Sequence, residues 1–282
     1  MKIIVTGVKG QLGFDILRVL EPYKQINAIG IDIDDLDITN KEAVEKYVDS
    51  EKPDIIIHCA AYTAVDLAED YQELCMNVNV EGTKHLVKAA KKHQTKFLYI
   101  STDYVFDGTK NIPYHIDDKP NPQSVYGKSK YLGEVETRKL DEHFIVRIAW
   151  VFGKNGQNFI KTMLRLSKER ESISVVNDQM GTPTYTFDLA KFLVKLIQTN
   201  KYGTYHATNE GECTWYEFTK EIFKQSGINT IVKPIASNEY PTKAKRPMNS
   251  RLSKKTLDTH GFKRLPDWKD ALNRYLKEIE VI

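Results

Sequence analysis

The sequence opens on a β-branched run, Lys2–Thr6 (KIIVT), that passes without a break into Gly7-Val8-Lys9-Gly10-Gln11-Leu12-Gly13. No other feature narrows the accessible folds so far. An amphipathic stretch follows, with Leu12, Ile16, Leu17 and Leu20 at helical spacing. In a strand, turn and helix so joined, Gly7 permits the tight turn, Gly10 lets backbone approach a pyrophosphate, and Gly13 allows close packing of helix on strand. The helix N-terminus then faces the anion. A glycine triplet in a turn often serves only chain reversal. Between an N-terminal strand and a helix, this G-x-x-G-x-x-G predicts a dinucleotide held by Gly7, Gly10, Gln11, Leu12 and Gly13.

The same alternation then repeats. Asn27–Asp32, Asp54–Cys59, Lys96–Ser101 and Phe144–Ile148 are short runs rich in β-branched residues, and helical spacing falls near 11–21, 40–50, 71–93 and 124–141. Runs apolar on both faces suit a parallel sheet covered by helices on both sides. The fold class is therefore α/β, a doubly wound, Rossmann-like parallel sheet. Residues 1–150 form its dinucleotide-binding domain. Beyond Trp150 strands thin out, and candidate helices at 156–170, 185–199, 214–226 and 268–279 alternate with Pro- and Gly-bearing loops such as Asp178–Tyr185 and Tyr240–Arg251. Residues 151–282 are expected to form a smaller C-terminal substrate-binding lobe, with some segments returning to the sheet, because no Gly/Ser- or Pro-rich linker separates the two.

Charge excludes several classes of partner. Lys+Arg number 41 against 38 Asp+Glu, a formal charge of +3, too balanced to make nucleic acid or an anionic membrane the default partner. No stretch approaches the roughly 18 uninterrupted apolar residues of a membrane span, and the N-terminus has no apolar leader. Cys59, Cys75 and Cys213 have neither C-x-x-C nor zinc-site spacing and read as reduced thiols of a cytoplasmic protein. The 7 histidines form no cluster along the chain, and no metal is expected.

Asp32 closes the second strand, where an acid accepts from a ribose 2′-hydroxyl and repels a 2′-phosphate. Asp34, Asp35 and Asp37 beside it read as solvated turn carboxylates. Farther on, Tyr126-Gly127-Lys128-Ser129-Lys130 begins a helix, and residues four apart lie on one face, so the Tyr126 hydroxyl and Lys130 ammonium can address one ligand. A neighbouring cation is expected to lower the phenol's pKa from its usual value of about 10 and make it an acid usable near neutrality. A lone Y-x-x-x-K is common on exposed helices; following a glycine fingerprint and a strand ending in Ser101-Thr102-Asp103, it carries more weight.

Gly7–Gly13, Asn77 in NVNVEGT, Ser101–Asp103 and Tyr126/Lys130 resemble the extended short-chain dehydrogenase/reductase superfamily. More narrowly, Ala60–Asp66 (AAYTAVD), Ser101–Gly108 (STDYVFDG), Val175–Pro183 (VVNDQMGTP) and Arg246–Leu252 (RPMNSRL) resemble its dTDP-4-dehydrorhamnose reductase family over nearly the whole chain. The resemblance implies reduction of the 4-keto group of dTDP-4-dehydro-L-rhamnose by NADPH or NADH. Tyr126 would donate the proton, Lys130 hold the nicotinamide ribose and Thr102 hydrogen-bond the carbonyl. Ala60, Ala61, Tyr62 and Asn77 would join the cofactor site. Thr102, Asp103, Tyr104 and Trp150 would lie near the sugar, and Arg246, Asn249 and Ser250 near the nucleotide diphosphate. Plainer roles stay open: Trp150 as strand-end core, Arg246 with Lys243, Lys245 and Arg251 as a solvated basic patch, Asp66 as a first-turn acid.

Some members of that family are dimers joined through magnesium, and a homodimer is compatible with the resemblance. Asp15 falls near one such ligand position, but no full carboxylate set accompanies it. Two alternatives remain at this stage: another sugar-nucleotide reductase or epimerase of the superfamily, or a non-catalytic, cofactor-binding regulatory subunit. Dehydratases place an acid pair after the threonine, whereas here Asp103 is followed by Tyr104, which disfavours elimination.

Overall fold

The structure, a computed structural model, describes residues 1–282. In its first half β1 (Lys2–Thr6), α1 (Gln11–Leu20), β2 (Asn27–Ile31), α2 (Lys41–Glu51) and β3 (Ile55–His58) alternate, followed by α3 (Val65–Asp70), α4 (Gln72–Met76), α5 (Thr83–His93), β4 (Lys96–Thr102), α6 (Val125–Thr137) and β5 (His143–Ile148). The second half comprises β6 (Val151–Phe152), α7 (Phe159–Glu169), β7 (Ser172–Val176), β8 (Met180–Gly181), β9 (Thr184–Tyr185), α8 (Thr186–Leu196) and β10 (Gly203–His206). After these come β11 (Cys213–Thr214), α9 (Trp215–Gln225), β12 (Ile231–Ile235), α10 (Lys255–Thr259) and α11 (Trp268–Glu278).

Six parallel strands form one sheet in the order β10-β5-β4-β3-β1-β2. Alternation along each strand sends neighbours to opposite faces. Ile3, Val5, Ile55, Ile57, Leu98, Phe144 and Val146 face α1 and α8, where Leu12, Ile16, Leu189 and Leu193 cover them. Ile4, Ile56, Phe97, Tyr99 and Ile145 face the other way, under Val44, Val48, Leu86 and Val87 of α2 and α5. A third core in the second half gathers Phe152, Ile160, Phe218, Ile222, Trp268, Leu272 and Tyr275. Two segments from beyond residue 150 belong with the sheet: β10 is its edge strand beside β5, and α8 lies against α1. No helix is long and apolar enough to cross a membrane.

The single helix expected over 71–93 is broken. A π-turn at Asn77–Gly82 separates α4 from α5, rotating the chain so that Asn79 and Gly82 are buried and Asn77 is exposed. Gly82 packs against Ile38 so closely that a β-carbon there would stand 2.8 Å from that side chain. Strand order reverses between β1 and β3, the place where sheets of this kind bind ligands beyond the strands' C-terminal ends.

Candidate active site

Beyond the C-terminal end of β1, Gly7 adopts φ +73°, and a β-carbon on it would lie 2.7 Å from the amide nitrogen of Ala60. The glycine loop thus lies directly on the chain leaving β3. A β-carbon on Gly13 would meet the Gly7 carbonyl at 2.4 Å, so α1 begins as near the loop as backbone allows. Gly10 is the N-cap of α1 and supplies no side-chain acceptor to the first-turn amides. Those amides, with the helix dipole behind them, fit a pyrophosphate. Asp32 follows β2, and its carboxylate accepts from the backbone amides of Lys9 (2.8 Å) and Ile33 (2.9 Å), so it pins the glycine loop. The Lys9 ammonium pairs instead with the exposed Asp34.

The next wall is Ala60-Ala61-Tyr62, half-buried beyond β3. Thr6 Oγ1 accepts from the Ala60 amide at 3.0 Å. Asn79 holds Tyr62 from both sides: its Oδ1 accepts from the Tyr62 amide at 2.7 Å and its Nδ2 donates to the Tyr62 carbonyl at 3.1 Å. The asparagine expected here was Asn77. The π-turn places Asn79 inward instead and leaves Asn77 exposed. The run N-V-N-V offers two asparagines at a spacing that only the turn's rotation resolves.

The adjoining edge, built by β4 and α6, carries the residues expected to react. Thr102 ends β4, and its hydroxyl donates to Asp103 Oδ1 (3.0 Å) and accepts from the Tyr104 amide (3.2 Å). Ser124 caps α6 by accepting from the Gly127 amide at 3.1 Å, and Gly127 lets the helix close on the turn after Thr102, since a β-carbon there would be 2.3 Å from the Tyr104 carbonyl. This brings the Tyr104 and Tyr126 rings edge-to-face with centroids 5.6 Å apart. Lys130, one turn on and 3% exposed, carries its ammonium 4.2 Å above the Tyr99 ring centre.

Electrostatics here depart from expectation. Burial, then the Asp103 carboxylate, push the Tyr126 phenol up, and the adjacent Thr102 hydroxyl only partly counters them. Burial lowers the Lys130 ammonium to about 8. In the chain alone the phenol is therefore not drawn toward neutrality, because desolvation and the Asp103 carboxylate dominate its surroundings. Burial also raises Asp103 to about 6, and its Oδ2 is buried without a partner beside Tyr126 and Ser250.

Facing this edge is the C-terminal half. Trp150 leaves β5 with a left-handed φ of +48° and stacks on Trp215, centroids 3.6 Å apart. With Gln11, Thr63, Phe159 and Arg246 these indoles line a cleft of about 430 Å³. Trp150 is thus both strand-end packing and cleft wall. Trp215 and Phe159 were not among the expected residues; an aromatic at a helix start carries no distinctive pattern. Arg246 reaches back, donating to the Tyr104 hydroxyl (3.2 Å) and to Asp66 (2.6 Å), which links the cleft to the Tyr104–Tyr126 pair. Ser250 is buried beside Asp103. Asn249 is a correction. Its Nδ2 donates to the carbonyls of Lys110 and Ile112, and its Oδ1 accepts from the amide and Nε of Arg251. All four of its hydrogen-bonding positions are spent on the fold, so its side chain has none for a diphosphate.

Asp15 lies fully buried under α8. It accepts from Arg18 and Thr186, and Arg18 also bridges to Glu278. The three cysteines are unpaired.

Known proteins resemble this chain over nearly its whole length. The family described as the RmlD substrate binding domain matches residues 1–281. The dTDP-4-dehydrorhamnose reductase of Aggregatibacter actinomycetemcomitans is 40% identical across 96% of this chain and 97% of that protein. The crystal structure of a dTDP-4-dehydrorhamnose reductase from Clostridium acetobutylicum superposes with a TM-score of 0.97 at 43% identity, covering 99% of this chain and 100% of that one. That of the Bacillus anthracis reductase in complex with NADP gives 0.96, also at 43% identity, over 98% and 99%. With a sheet, glycine loop and Tyr126/Lys130 helix to match, the chain belongs to the RmlD family of dTDP-4-dehydrorhamnose reductases, in the extended short-chain dehydrogenase/reductase fold.

Proposed function

We propose that this protein reduces the 4-keto group of dTDP-4-dehydro-L-rhamnose to give dTDP-L-rhamnose, using NADPH or NADH. The observation that carries this reading is the convergence of Thr102, Tyr126 and Lys130 beyond the strand ends, between the glycine loop and the Trp150–Arg246 cleft, in a chain of this family. Residues 1–150, with α8 and β10 returning to them, act as the cofactor domain, and the remainder as the substrate lobe. Its work is cytoplasmic sugar-nucleotide synthesis.

A nicotinamide bound here supplies hydride to the sugar C4. The chain's own groups do the rest. First-turn amides of α1 and the glycine loop hold the pyrophosphate, and Asp32 stands at the adenosine ribose. Lys130 holds the nicotinamide ribose and adds positive charge beside Tyr126. Tyr126 gives its phenolic proton to O4 as negative charge develops there, while Thr102 turns its hydroxyl from Asp103 to donate to the same oxygen. Arg246 meets the diphosphate with its planar fork, exchanging Asp66 for phosphate oxygens. Trp150 walls the sugar.

Enzymatically prepared dTDP-4-dehydrorhamnose should oxidise NADPH or NADH in the presence of the purified protein, with dTDP-rhamnose as product. Nicotinamide absorbance and chromatography of the sugar nucleotide read both. Cofactor binding without turnover of any 4-keto sugar nucleotide would favour the regulatory-subunit alternative.

A further inference from the structure

Behind the reacting groups, one turn beyond Lys130 on α6, lies Glu134, fully buried. Its Oε1 accepts from the Ser101 hydroxyl (2.6 Å) and from Arg147 Nε (2.7 Å); its Oε2 accepts from Arg147 Nη2 and Arg138 Nη2 (both 2.8 Å). Arg147, 1% exposed, lies on β5 directly across from Ser101 in the sheet register. One carboxylate thus joins three elements: β4 through the residue before Thr102, β5 through Arg147, and the helix that carries Tyr126 and Lys130.

Stability does not require such a group. Desolvating an ion pair costs about what its attraction returns, and well-packed apolar residues often replace one without loss. What an ion pair supplies that apolar contacts lack is direction. The Ser101 bond sets α6 against β4 and the two Arg147 bonds set it against β5, and the separation of Thr102 from Tyr126 depends on that register.

We propose, on the reductase reading above, that Glu134 is a positioning residue: gripped by Arg147, it locks Ser101–Thr102 of β4 in register with Tyr126 and Lys130 of α6. It also acts on Lys130 through charge. The groups facing that ammonium are His58 and Cys59 at the end of β3, Cys75 of α4, Tyr99 of β4 and Glu134. Burial opposes ionisation at Glu134, yet Arg147, Ser101 and Arg138 hold its carboxyl below the usual range. Burial keeps the His58 ring and the Cys59 thiol uncharged. Glu134 is then the anion that favours the protonated Lys130.

The test separates position from mere support by the sign of a pH shift. NADPH affinity, followed by nicotinamide fluorescence across the alkaline range, should fall as Lys130 loses its proton. Glu134→Gln removes the anion and should move that midpoint to lower pH by about one unit; Arg147→Gln leaves Glu134 less neutralised and should move it to higher pH by roughly half a unit. Ser101→Ala changes no charge. It should leave the midpoint in place and lower kcat about tenfold at unchanged KM, since it frees only the strand that carries Thr102. Midpoints that coincide or move together in the two charge variants, or wild-type kcat in Ser101→Ala, would overturn the proposal. If Glu134→Gln does not fold, Arg147→Gln, in which Arg138 still pairs the carboxylate, and Ser101→Ala decide it. Wild-type protein that binds NADPH with this pH dependence but reduces no dTDP-linked 4-keto sugar would defeat the substrate reading alone.

Discussion

The two walls of the cleft are held by different means. On one side Thr102, Tyr126 and Lys130 sit on a strand end and a helix whose backbones are buried and paired, both from the first half of the chain. On the other, Arg246 rides on an irregular segment moored by side chains far away in sequence, Asp66 to Arg246 and Asp70 to Lys243, while Ser250 beyond it is held by the hydrogen bond from its amide to the Met180 carbonyl and by Asn249, which grips the loop at Lys110–Ile112. The contrast assigns labour. Bond-making groups need fixed geometry, which regular elements supply, whereas a wall that must admit and release a sugar nucleotide can be held by exchangeable ion pairs.

Tyr126→Phe tests the rigid wall most severely. Losing a positioned general acid costs typically 10²–10⁴-fold, so kcat should fall by about that factor while NADPH affinity stays near wild type. A variant that keeps more than roughly a third of wild-type kcat would remove Tyr126 from the chemistry and leave the rigid wall without its proton donor.

Rigidity on that side also carries a cost visible in Lys130. Its folded pKa, lowered by burial from 10.5 to about 8, means that below about pH 8 the folded chain keeps the charge at a cost that the unfolded chain does not bear. Between the two values the unfolded chain binds the extra proton, so stability rises with pH through that window. Lys130→Met should therefore stabilise the cofactor-free protein at neutral pH, by about 3 kcal/mol, with the gain vanishing as the pH approaches 10.5. NADPH affinity should drop at the same time. Urea titrations of both proteins at neutral and alkaline pH measure the first effect, and a destabilised variant would show the ammonium to be better compensated than its place over Tyr99 implies.

For the exchangeable wall the expected loss is smaller and falls on binding. Arg246→Ala removes charge-assisted hydrogen bonds to a diphosphate, each worth about 1.5–3 kcal/mol, so KM for the sugar nucleotide should rise by roughly 10- to 100-fold with kcat within a few-fold. A fall in kcat at unchanged KM would place Arg246 with the reacting groups and erase the contrast between the walls.

The same division explains what the sequence made legible. Strand runs such as KIIVT and DIIIHC, apolar on both faces, are local signals, and the elements they announce lie within a residue or two of where they were expected. The glycine loop and Tyr126/Lys130 are local too. Asn79 was missed because its neighbour two positions back is also asparagine and only a π-turn selects between them. Asn249 was misread because its four partners lie at Lys110, Ile112 and Arg251, contacts no spacing announces. The state of Tyr126 was misjudged for another reason: desolvation belongs to the packed interior and leaves no trace in a Y-x-x-x-K pattern. Glu134 did have a signal, since Tyr126, Lys130 and Glu134 fall at i, i+4 and i+8 on one helix face.

The smallest effect concerns the glycine loop, where the rigid wall meets the cofactor's far end. On the proposed cofactor placement Asp32 stands where a 2′-phosphate would have to fit, and a carboxylate repels it unless a cation intervenes. Lys9, in the glycine loop, is the nearby cation, but its ammonium pairs with Asp34, while its backbone amide is what Asp32 holds. NADH should therefore serve at least as well as NADPH. Replacing Asp32 by alanine would confound charge with loss of the Lys9 and Ile33 amide bonds, so Asp32→Asn is the cleaner change: the amide oxygen still accepts, and the charge is gone. kcat/KM measured with both cofactors should shift toward NADPH by about tenfold for each 1.4 kcal/mol of repulsion relieved, with NADH use little altered. Asp34→Asn should push the same way by freeing Lys9 for the phosphate. A wild type strongly selective for NADPH, and indifferent to both changes, would mean that Asp32 serves the loop alone and that the rigid wall, like the exchangeable one, lets its charges turn away from the ligand.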